Sequence, residues 1–398
     1  MNARRRRIAV VTHNIFIAGG TLSMTRCVVE AIRGSGRYDC DVVSLATTFS
    51  DHCSVRLLHP GTWFRGIRAE PWEQRGIPTT HVGCLFAELE FQRYKPRRIL
   101  DAILAEFDLV VFVAGAAPWG YAARRIDKPV VLWLATGYGA DRQNRQRAAT
   151  GLRRFVLPLM ERLCEGFEDE ALARADHVLA LSDYTKRQFV GKVPEGRLSV
   201  AFAGVNTEWF APSPPVANGP FLSVGRLDDP RKNVTLLFRA YANVRRRFGD
   251  ASPRLLLVGT SPTTEQLAKA EALGVAPYID VRENVSAEQL VEAYRESSMF
   301  VLSSDEEGLA IVVLEAIATG RPVISTRCGG PESAVEHGRN GLLVPVGDAE
   351  GLADAMVALV SDPDRARAMG AASRAIAEEK FSKTVTNRVF LDTFDRFF

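Results

Sequence analysis

Residues 299–325 read MFVLSSDEEGLAIVVLEAIATGRPVIS, and this segment decides the fold class. Two short apolar runs, at 299–302 and 322–325, flank a stretch in which apolar residues recur every three or four positions. This period predicts a helix over residues 307–319 between two buried strands. Because consecutive parallel strands are usually joined by a helix, the segment indicates an α/β fold built on a parallel sheet.

Two glutamates, Glu307 and Glu315, stand eight positions apart in this segment. The prediction places Glu307 where the strand turns into the helix and Glu315 about two turns further, roughly 12 Å away at 1.5 Å per residue. A helix N-terminus offers unpaired N–H groups to an anion, and carboxylates accept hydrogen bonds from sugar hydroxyls. A sugar joined to ribose through a diphosphate has about that span. The spacing is equally typical of a surface helix with acidic residues near its start.

The alternation of apolar strands and amphipathic helices runs through the whole chain. It is interrupted by a proline- and glycine-rich stretch at residues 211–220, which has the composition of a linker. We therefore predict a doubly wound α/β protein with two Rossmann-like domains and a cleft between them, the first over residues 1–212 and the second from residue 213. Ligands of such sheets bind at the carboxyl ends of the strands, where each motif below falls.

Two glycine-containing turns follow predicted strands. Gly225 and Arg226 end the first strand of the second half, and Lys232 comes six residues after Arg226. Arg226 and Lys232 could each give a diphosphate a charge-assisted hydrogen bond of roughly 1.5–3 kcal/mol. Gly19 and Gly20 follow the first strand of the first half and open a helix, an arrangement that cradles phosphate. Ordinary basic loops and tight turns have the same composition.

The composition sets further bounds. With 398 residues the chain is long enough for two cores, and no apolar stretch reaches the length of a transmembrane helix. The six cysteines form no C-x-x-C pair and no Cys/His cluster with metal spacing, which favours free thiols and a cytoplasmic protein without a metal.

Charge is uneven although the net charge is only +3. Basic residues outnumber acidic ones in residues 1–212, and the reverse holds for 213–398. An anionic partner, such as the inner face of a membrane to which the protein binds peripherally, fits this imbalance. Solvated basic faces in an arginine-rich protein fit it equally. A nucleic-acid partner is not expected, because no nucleic-acid-binding module appears.

Together these motifs resemble the donor domain of GT-B glycosyltransferases, specifically the large retaining family with a Glu-x7-Glu motif (glycosyltransferase family 4-like, glycosyl transferases group 1). The family's order and spacing are kept over residues 220–350 by Gly225-Arg226-Leu227, Lys232-Asn233, Leu257-Val258-Gly259, Leu290 and Tyr294, Glu307, Glu315-Ala316, Gly320-Arg321-Pro322-Val323-Ile324 and residues 329–348. The first half is similar more loosely, through Gly19-Gly20, Ala173-Arg174-Ala175-Asp176, Ser182, Gly204-Val205-Asn206 and Phe210. The resemblance implies a GT-B fold with a donor domain at 213–378 and a C-terminal helix, 379–398, that crosses back to the first, acceptor-binding domain.

The resemblance also implies an activity. The chain would be a hexosyltransferase of polysaccharide biosynthesis that moves a sugar from a UDP- or GDP-sugar to a glycan, glycolipid or small-molecule acceptor. It would retain the anomeric configuration and need no cofactor or metal. The implied catalytic residues are Glu307, Arg226, Lys232 and Thr136. The implied donor-binding residues are Gly19, Gly20, Gly225, Arg226, Lys232, Val281, Arg282, Glu307, Leu309, Ala310, Ile311 and Glu315.

Each group has an implied role. Arg226 and Lys232 would bind the diphosphate, Glu315 the ribose hydroxyls and Glu307 the hydroxyls of the transferred sugar. The backbone amides of Leu309, Ala310 and Ile311 would cap phosphate or sugar. A turn at Val281 and Arg282 would contact the nucleobase, and Gly19 and Gly20 would close over the diphosphate from the other domain.

Two positions depart from the family pattern. Thr136 stands where the family usually has a histidine, and a hydroxyl cannot carry that charge. Ala310 stands where a glycine is usual, so a methyl group could crowd the sugar. The first departure motivates an alternative, a non-catalytic relative that binds a nucleotide sugar. A GT-B phosphorylase and a sugar-nucleotide epimerase are further alternatives on the same fold.

Overall fold

The computed structural model describes residues 5–13, 20–48, 50–74, 76–139, 153–213, 216 and 218–398, and at 74 and 153–157 the backbone alone. Gly19, a predicted donor contact, lies outside the described residues. The chain divides into two compact units, Met1–Ala203 with Thr386–Phe398, and Gly204–Val385.

This division differs from the predicted boundaries at 212 and 378, and hydrogen bonds give the reason. Residues that precede the linker-like stretch already belong to the second unit. The amide of Val205 donates to the carbonyl of Phe381 at 2.8 Å, and Arg374 donates to the carbonyls of Thr207 and Phe210.

The first unit is built on an eight-stranded sheet. Its strands are β1 (Arg6–His13), β2 (Tyr38–Leu45), β3 (Ala69–Gln74), β4 (Ile77–Val82), β5 (Leu109–Ala114), β6 (Val130–Leu134), β7 (His177–Ala180) and β8 (Leu198–Val200). They lie in the order β3-β4-β2-β1-β5-β6-β7-β8, parallel except for the antiparallel pair β3–β4. The helices that follow in this unit are α1 (Gly20–Ser35), α2 (Glu90–Tyr94), α3 (Arg98–Leu104), α4 (Arg153–Arg174) and α5 (Asp183–Phe189). Every residue of β5 and β6 is buried, as expected of central strands covered on both faces.

The second unit is built on a six-stranded parallel sheet. Its strands are β9 (Phe221–Arg226), β10 (Leu255–Thr260), β11 (Ile279–Glu283), β12 (Met299–Leu302), β13 (Val323–Thr326) and β14 (Gly341–Val344). The helices are α6 (Val234–Phe248), α7 (Thr264–Ala272), α8 (Ala287–Glu296), α9 (Ile311–Ala318), α10 (Ala349–Ser361), α11 (Pro363–Ile376) and α12 (Lys383–Phe394), of which α12 ends in the first unit. The two mixed α/β units with parallel sheets confirm the predicted fold class.

The strand order β11-β10-β9-β12-β13-β14 places a topological switch point between β9 and β12. After β9 the chain adds β10 and β11 on one side of that strand, and it then crosses to the other side, where it adds β12, β13 and β14. Open α/β sheets bind ligands in the crevice outside the carboxyl ends of the strands at such a point. Arg226 is the last residue of β9 and Glu307 follows β12, so the fold brings two predicted site residues to this place.

Gly225 and Gly259 lie directly opposite each other where β9 and β10 end. A Cβ at Gly259 would stand 1.9 Å from the carbonyl oxygen of Gly225, and one at Gly225 would stand 3.3 Å from the Cε of Lys232. Gly259 also has a φ of +134°. Glycine at both positions therefore lets the two strand ends and the lysine stem pack closely.

The helix that carries Glu315 begins later than predicted. It starts at Ile311, because backbone hydrogen bonds hold Glu307 in an extended segment. The amide of Glu307 donates to the carbonyl of Cys328 at 2.9 Å, and the carbonyl of Glu307 accepts from the amide of Gly330 at 2.7 Å. Ala310 then turns the chain into the helix with a φ of +61°.

Helix α12 completes the core of the first unit. The ring of Phe390 packs edge-on against Trp133 of β6, with the centroids 4.7 Å apart, and both side chains are fully buried. Among the residues that the structure describes, no helix is both long enough and apolar enough to cross a bilayer.

Candidate functional site

Lys232 and Glu307 form the ion pair at the switch point of the second unit. Lys232 Nζ lies 2.6 Å from Glu307 Oε1, and the hydroxyl of Ser304 donates to the same oxygen at 2.7 Å. The lysine and glutamate side chains are only 16% and 14% exposed, so the pair is largely shielded from solvent. The pair joins the loop after β9 to the loop after β12.

Arg226, the last residue of β9, is engaged by a carboxylate whose role the sequence did not suggest. Asp229 Oδ2 lies 2.9 Å from an Nη atom of both Arg226 and Arg231. Although burial opposes ionisation, the hydrogen bond and charge of Arg231, with the charge of Arg226, hold the pKa of Asp229 below its usual range. The Arg226 side chain is 53% exposed, which leaves N–H donors open to a ligand. Asp229 lies in a turn-like Asp-Asp-Pro sequence, which gave no sign of this role.

Glu315 lies on α9 and receives a hydrogen bond from the interior. The hydroxyl of the fully buried Tyr294, on α8, donates to Glu315 Oε2 at 2.8 Å. Burial raises the pKa of Glu315 to about 7, and this hydrogen bond partly opposes the rise. Burial and the nearby carboxylate raise the pKa of Tyr294 well above 10, so its phenol remains a donor. Tyr294 was noticed only as part of the family pattern, because residues 21 positions apart give no local signal.

The amides of Leu309, Ala310 and Ile311 lie at the elbow before α9. The first N–H groups of a helix have no partner within it, and Ala310 at the N-cap has no side chain that could cap them. Gly330 packs against this elbow so closely that a Cβ there would stand 2.3 Å from the amide nitrogen of Leu309. Gly330 therefore packs directly behind the elbow, and the role of these amides in donor binding stays a prediction.

Val281 and Arg282 are not in a turn, as the resemblance had implied, but within the edge strand β11. They pair in parallel register with Leu257 and Val258. The next residue with a positive φ is Asn284, where the turn begins. The guanidinium of Arg282 is engaged by the carboxylate of Glu296, whereas Val281 is 38% exposed.

In the first unit, Gly20 opens α1 as predicted, and Thr136 follows β6. The Thr136 hydroxyl lies 3.4 Å from Gln188 Oε1, and the amide of Gly137 donates to the same oxygen at 2.6 Å. The Nε2 of Gln188 is buried and makes no hydrogen bond to any residue that the structure describes. A neutral amide therefore accompanies Thr136 at this position.

His13 ends β1 and has a defined environment that its sequence did not suggest. Its ring stacks on Trp119 with the centroids 4.4 Å apart and an interplanar angle of 8°. Its Nε2 accepts a hydrogen bond of 3.0 Å from the amide of Gly115, the residue after β5. Two strand ends and an aromatic ring thus fix this histidine at the carboxyl edge of the first sheet.

The two halves of the chain match two different family models of known proteins. Residues 24–209 match the family described as Glycosyltransferase Family 4, and residues 220–362 match the family described as Glycosyl transferases group 1.

Curated relatives match in part or along most of the chain. A GDP-mannose-dependent alpha-(1-6)-phosphatidylinositol monomannoside mannosyltransferase of Mycolicibacterium smegmatis is 34% identical over 219 residues, which cover 50% of this chain and 57% of the relative. The chain thus spans little more than half the length of that relative. A D-inositol 3-phosphate glycosyltransferase of Thermobispora bispora is 27% identical over 93% of this chain and 91% of its own.

Solved structures are similar over nearly the entire chain. Sucrose-phosphate synthase from Thermosynechococcus elongatus superposes with a TM-score of 0.75 at 19% identity, covering 98% of this chain and 99% of its own. HepE of Anabaena, in complex with UDP-glucose, gives a TM-score of 0.69 at 18% identity and the same coverage. These likenesses concern the fold. The two family matches, which together cover most of the chain, show that it belongs to the glycosyltransferases of family 4, also described as glycosyl transferases group 1, whose fold is GT-B.

Proposed function

We propose that the chain transfers a hexosyl unit from a nucleotide-diphosphate sugar to an acceptor hydroxyl, with retention of configuration and without a bound metal in the reaction. The observation that carries this proposal is the shielded pair of Lys232 and Glu307 at the switch point, where β9 ends with the partly exposed Arg226. Cations at this point suit a diphosphate, and a carboxylate suits sugar hydroxyls.

Each predicted cation has a carboxylate partner in the structure. Arg226 can keep its bond to Asp229 and still donate to a phosphate, since a guanidinium has five N–H donors. Lys232 has three donors, of which one is directed at Glu307. A diphosphate bound here would therefore share Lys232 with Glu307 and leave that carboxylate fixed for the sugar.

The proposed step exchanges one bond for another on the same face of the sugar. The acceptor oxygen forms a bond to the anomeric carbon while the bond from that carbon to the diphosphate oxygen breaks. The departing phosphate oxygen takes the acceptor proton. Arg226 and Lys232 stabilise the negative charge that develops on the diphosphate. Glu315 would accept hydrogen bonds from the ribose, and the amides at 309–311 would face phosphate or sugar.

Donor and acceptor are proposed from the relatives. One relative is named as GDP-mannose-dependent and acts on phosphatidylinositol monomannoside, and another is named for D-inositol 3-phosphate. We therefore propose GDP-mannose as the first donor to examine and a phosphoinositol-containing molecule as the first acceptor. UDP-sugars are the alternative donors.

The test is a thermal-shift and turnover screen of the purified chain with GDP-, UDP- and ADP-sugars, with and without inositol phosphates and phosphatidylinositol. A donor that stabilises the protein and is turned over supports the proposal, and the anomeric configuration of the product decides retention. Stabilisation without turnover would favour the alternative motivated by Thr136, a non-catalytic nucleotide-sugar-binding relative. Full turnover after EDTA treatment is expected.

Peripheral membrane contact is proposed from a surface loop, residues 56–68, in the first unit. Leu58 is 77%, Trp63 51% and Phe64 96% exposed. The indole N–H of Trp63 donates to the carbonyl of Arg56 at 2.8 Å, so the loop is an ordered turn with its apolar side chains outside.

The charge of this loop favours an anionic surface. Residues 52–69 contain no aspartate or glutamate but three arginines, Arg56, Arg65 and Arg68, of which Arg68 pairs with the neighbouring Glu70 at 3.1 Å. Apolar and aromatic side chains flanked by arginines are typical of segments that enter the headgroup region of an anionic bilayer. A glycosyltransferase with a lipid-linked acceptor would benefit from such contact.

A further inference from the structure

Five side chains with metal-ligating atoms meet at the base of the 56–68 loop. Asp51, His52 and Cys53 are consecutive, Glu70 belongs to β3 and His81 to β4. Antiparallel pairing places Glu70 directly opposite His81, so their side chains share one face of the sheet. The sequence shows no metal spacing, because only this pairing brings the two strands to the Asp-His-Cys tripeptide.

The ligating atoms form two triads that share one thiol. One ligand atom each from Asp51, Cys53 and His81 lie within 4.8 Å of one another, and so do one each from His52, Cys53 and Glu70. The first triad is the more enclosed, with side-chain exposures of 7% for Asp51 and 1% for His81, and Cys53 is 1% exposed.

Two close backbone contacts at the carbonyl of Cys53 fix the position of this residue. The carbonyl of Cys53 accepts from the amide of Arg68 at 3.0 Å. A Cβ at Gly83 would stand 2.0 Å from that carbonyl, so only glycine allows the strand to approach. Asp51 Oδ2 lies 2.5 Å from His81 Nε2, and the rings of His52 and His81 stack with the centroids 6.3 Å apart.

The donor set selects the kind of ion. Thiolate, imidazole and carboxylate together suit Zn²⁺, whereas Mg²⁺ and Ca²⁺ prefer oxygen ligands. Two carboxylates close to one thiol are an arrangement that a divalent cation would stabilise, because the cation offsets the charges of both carboxylates.

We propose that Asp51, Cys53 and His81 bind one Zn²⁺ ion, with His52 able to complete the coordination. The ion would lie in the first unit, remote in sequence from the donor-binding residues of the second unit, and would play no part in the sugar-transfer step. It would fasten the segment that enters the 56–68 loop to β4. The site would thus control how firmly the apolar loop is presented.

The first experiment uses the full chain without a histidine tag, stripped with EDTA and titrated with Zn²⁺ against a chromophoric chelator. One ion per chain is expected. Loading with Co²⁺ instead should give the absorption band of a cobalt–thiolate bond. Failure to bind a stoichiometric ion, or a Co²⁺ spectrum without thiolate character, would overturn the proposal on the wild-type chain alone.

Variants then assign the ligands. Cys53→Ser and His81→Asn should weaken Zn²⁺ binding by at least about 100-fold, and the exposed His52→Ala by about 10-fold or more. Cys40→Ser is the matched control, because Cys40 is a half-buried thiol on β2 outside both triads. Zn²⁺ should also slow tryptic cleavage after Arg56 and Arg65 in the wild type and in Cys40→Ser, but not in Cys53→Ser. Equal binding by Cys53→Ser and the wild type would contradict the assignment.

Discussion

The ammonium of Lys232 and the carboxylate of Glu307 meet at 2.6 Å although 75 residues separate them in the chain. Both side chains are largely shielded from solvent, so the charge of either group would be poorly compensated if the other were removed. Removing one partner of such a pair costs more than removing both. The pair therefore stabilises the two loops at the switch point as well as offering groups to a donor.

Lys232→Ala should lower the free energy of unfolding by about 1.5–3 kcal/mol, because it leaves the Glu307 carboxylate with the Ser304 hydroxyl alone. The double variant Lys232→Met with Glu307→Gln should regain part of that loss. Chemical denaturation of the three proteins measures both values. A double variant less stable than Lys232→Ala would show that the pair is not coupled in this way.

Arg226→Ala and Glu315→Ala should each reduce donor turnover at least tenfold, about 1.4 kcal/mol in the activation free energy, while the proteins stay folded. Arg247→Ala is the control, since Arg247 pairs with Asp354 on the helical surface of the same unit. Turnover is measured with saturating acceptor, and folding by circular dichroism. Wild-type turnover in either variant would remove that residue from the proposed site.

Glu315 should make stability and donor binding depend on pH near neutrality. Its folded-state pKa of about 7 lies above the reference value of 4.5, so its contribution to stability is complete below pH 4.5 and is lost as pH rises through 7. Above pH 7 the ionised carboxylate should bind donor hydroxyls better. Glu315→Gln should abolish both trends between about pH 4.5 and 8, measured by denaturation and nucleotide titration. Identical pH profiles for the variant and wild type would assign the dependence to another group.

Gly259→Ala should destabilise the second unit by about 1–3 kcal/mol, because the new methyl group would collide with the Gly225 carbonyl. Gly274→Ala provides the comparison. Gly274 also has a positive φ, +70°, but nothing lies within 4 Å of a Cβ there, so only the backbone cost of about 1 kcal/mol applies. Thermal unfolding of both variants separates the steric cost from the conformational one. Equal losses would mean that strands β9 and β10 move apart freely.

Phe64→Ser and Leu58→Ser should weaken binding to vesicles that contain phosphatidylserine or phosphatidylinositol, with little effect on stability because both side chains are exposed. The matched control is Leu267→Ser, an exposed leucine on α7 of the second unit. Cosedimentation with anionic and with neutral vesicles measures the effect. Wild-type binding that is equal for the two vesicle types would exclude the proposed role of the loop arginines.

The fold class could be predicted from local sequence patterns, because buried strands and amphipathic helices differ in the spacing of their apolar residues. Arg226, Lys232 and Glu307 were found through the family pattern and lie at or after the carboxyl ends of β9 and β12, as expected of a ligand site in a parallel sheet. Their roles in donor binding stay predictions. The predicted start of α9 was too early. The helical spacing of apolar residues begins near residue 308, but hydrogen bonds with residues 328 and 330 hold the segment around residue 307 extended.

Partners distant in the chain could not be predicted. Tyr294 reaches Glu315 from a neighbouring helix, 21 positions earlier in the chain. The cluster around Cys53 depends on the register of β3 against β4. A slip of one residue would turn the side chains of the slipped strand to the opposite face of the sheet. Such contacts arise from topology and register, which local periods do not encode.

The contact of Phe390 with Trp133 has a consequence for biosynthesis. Trp133 is translated early, whereas Phe390, whose ring packs against it, is translated about 250 residues later. The first unit can begin to fold on the ribosome, as N-terminal domains do, but its sheet stays partly uncovered until residues 386–398 emerge. During that interval an apolar surface is open to chaperones. A truncated chain that ends at residue 203 should therefore aggregate unless residues 386–398 are appended to it.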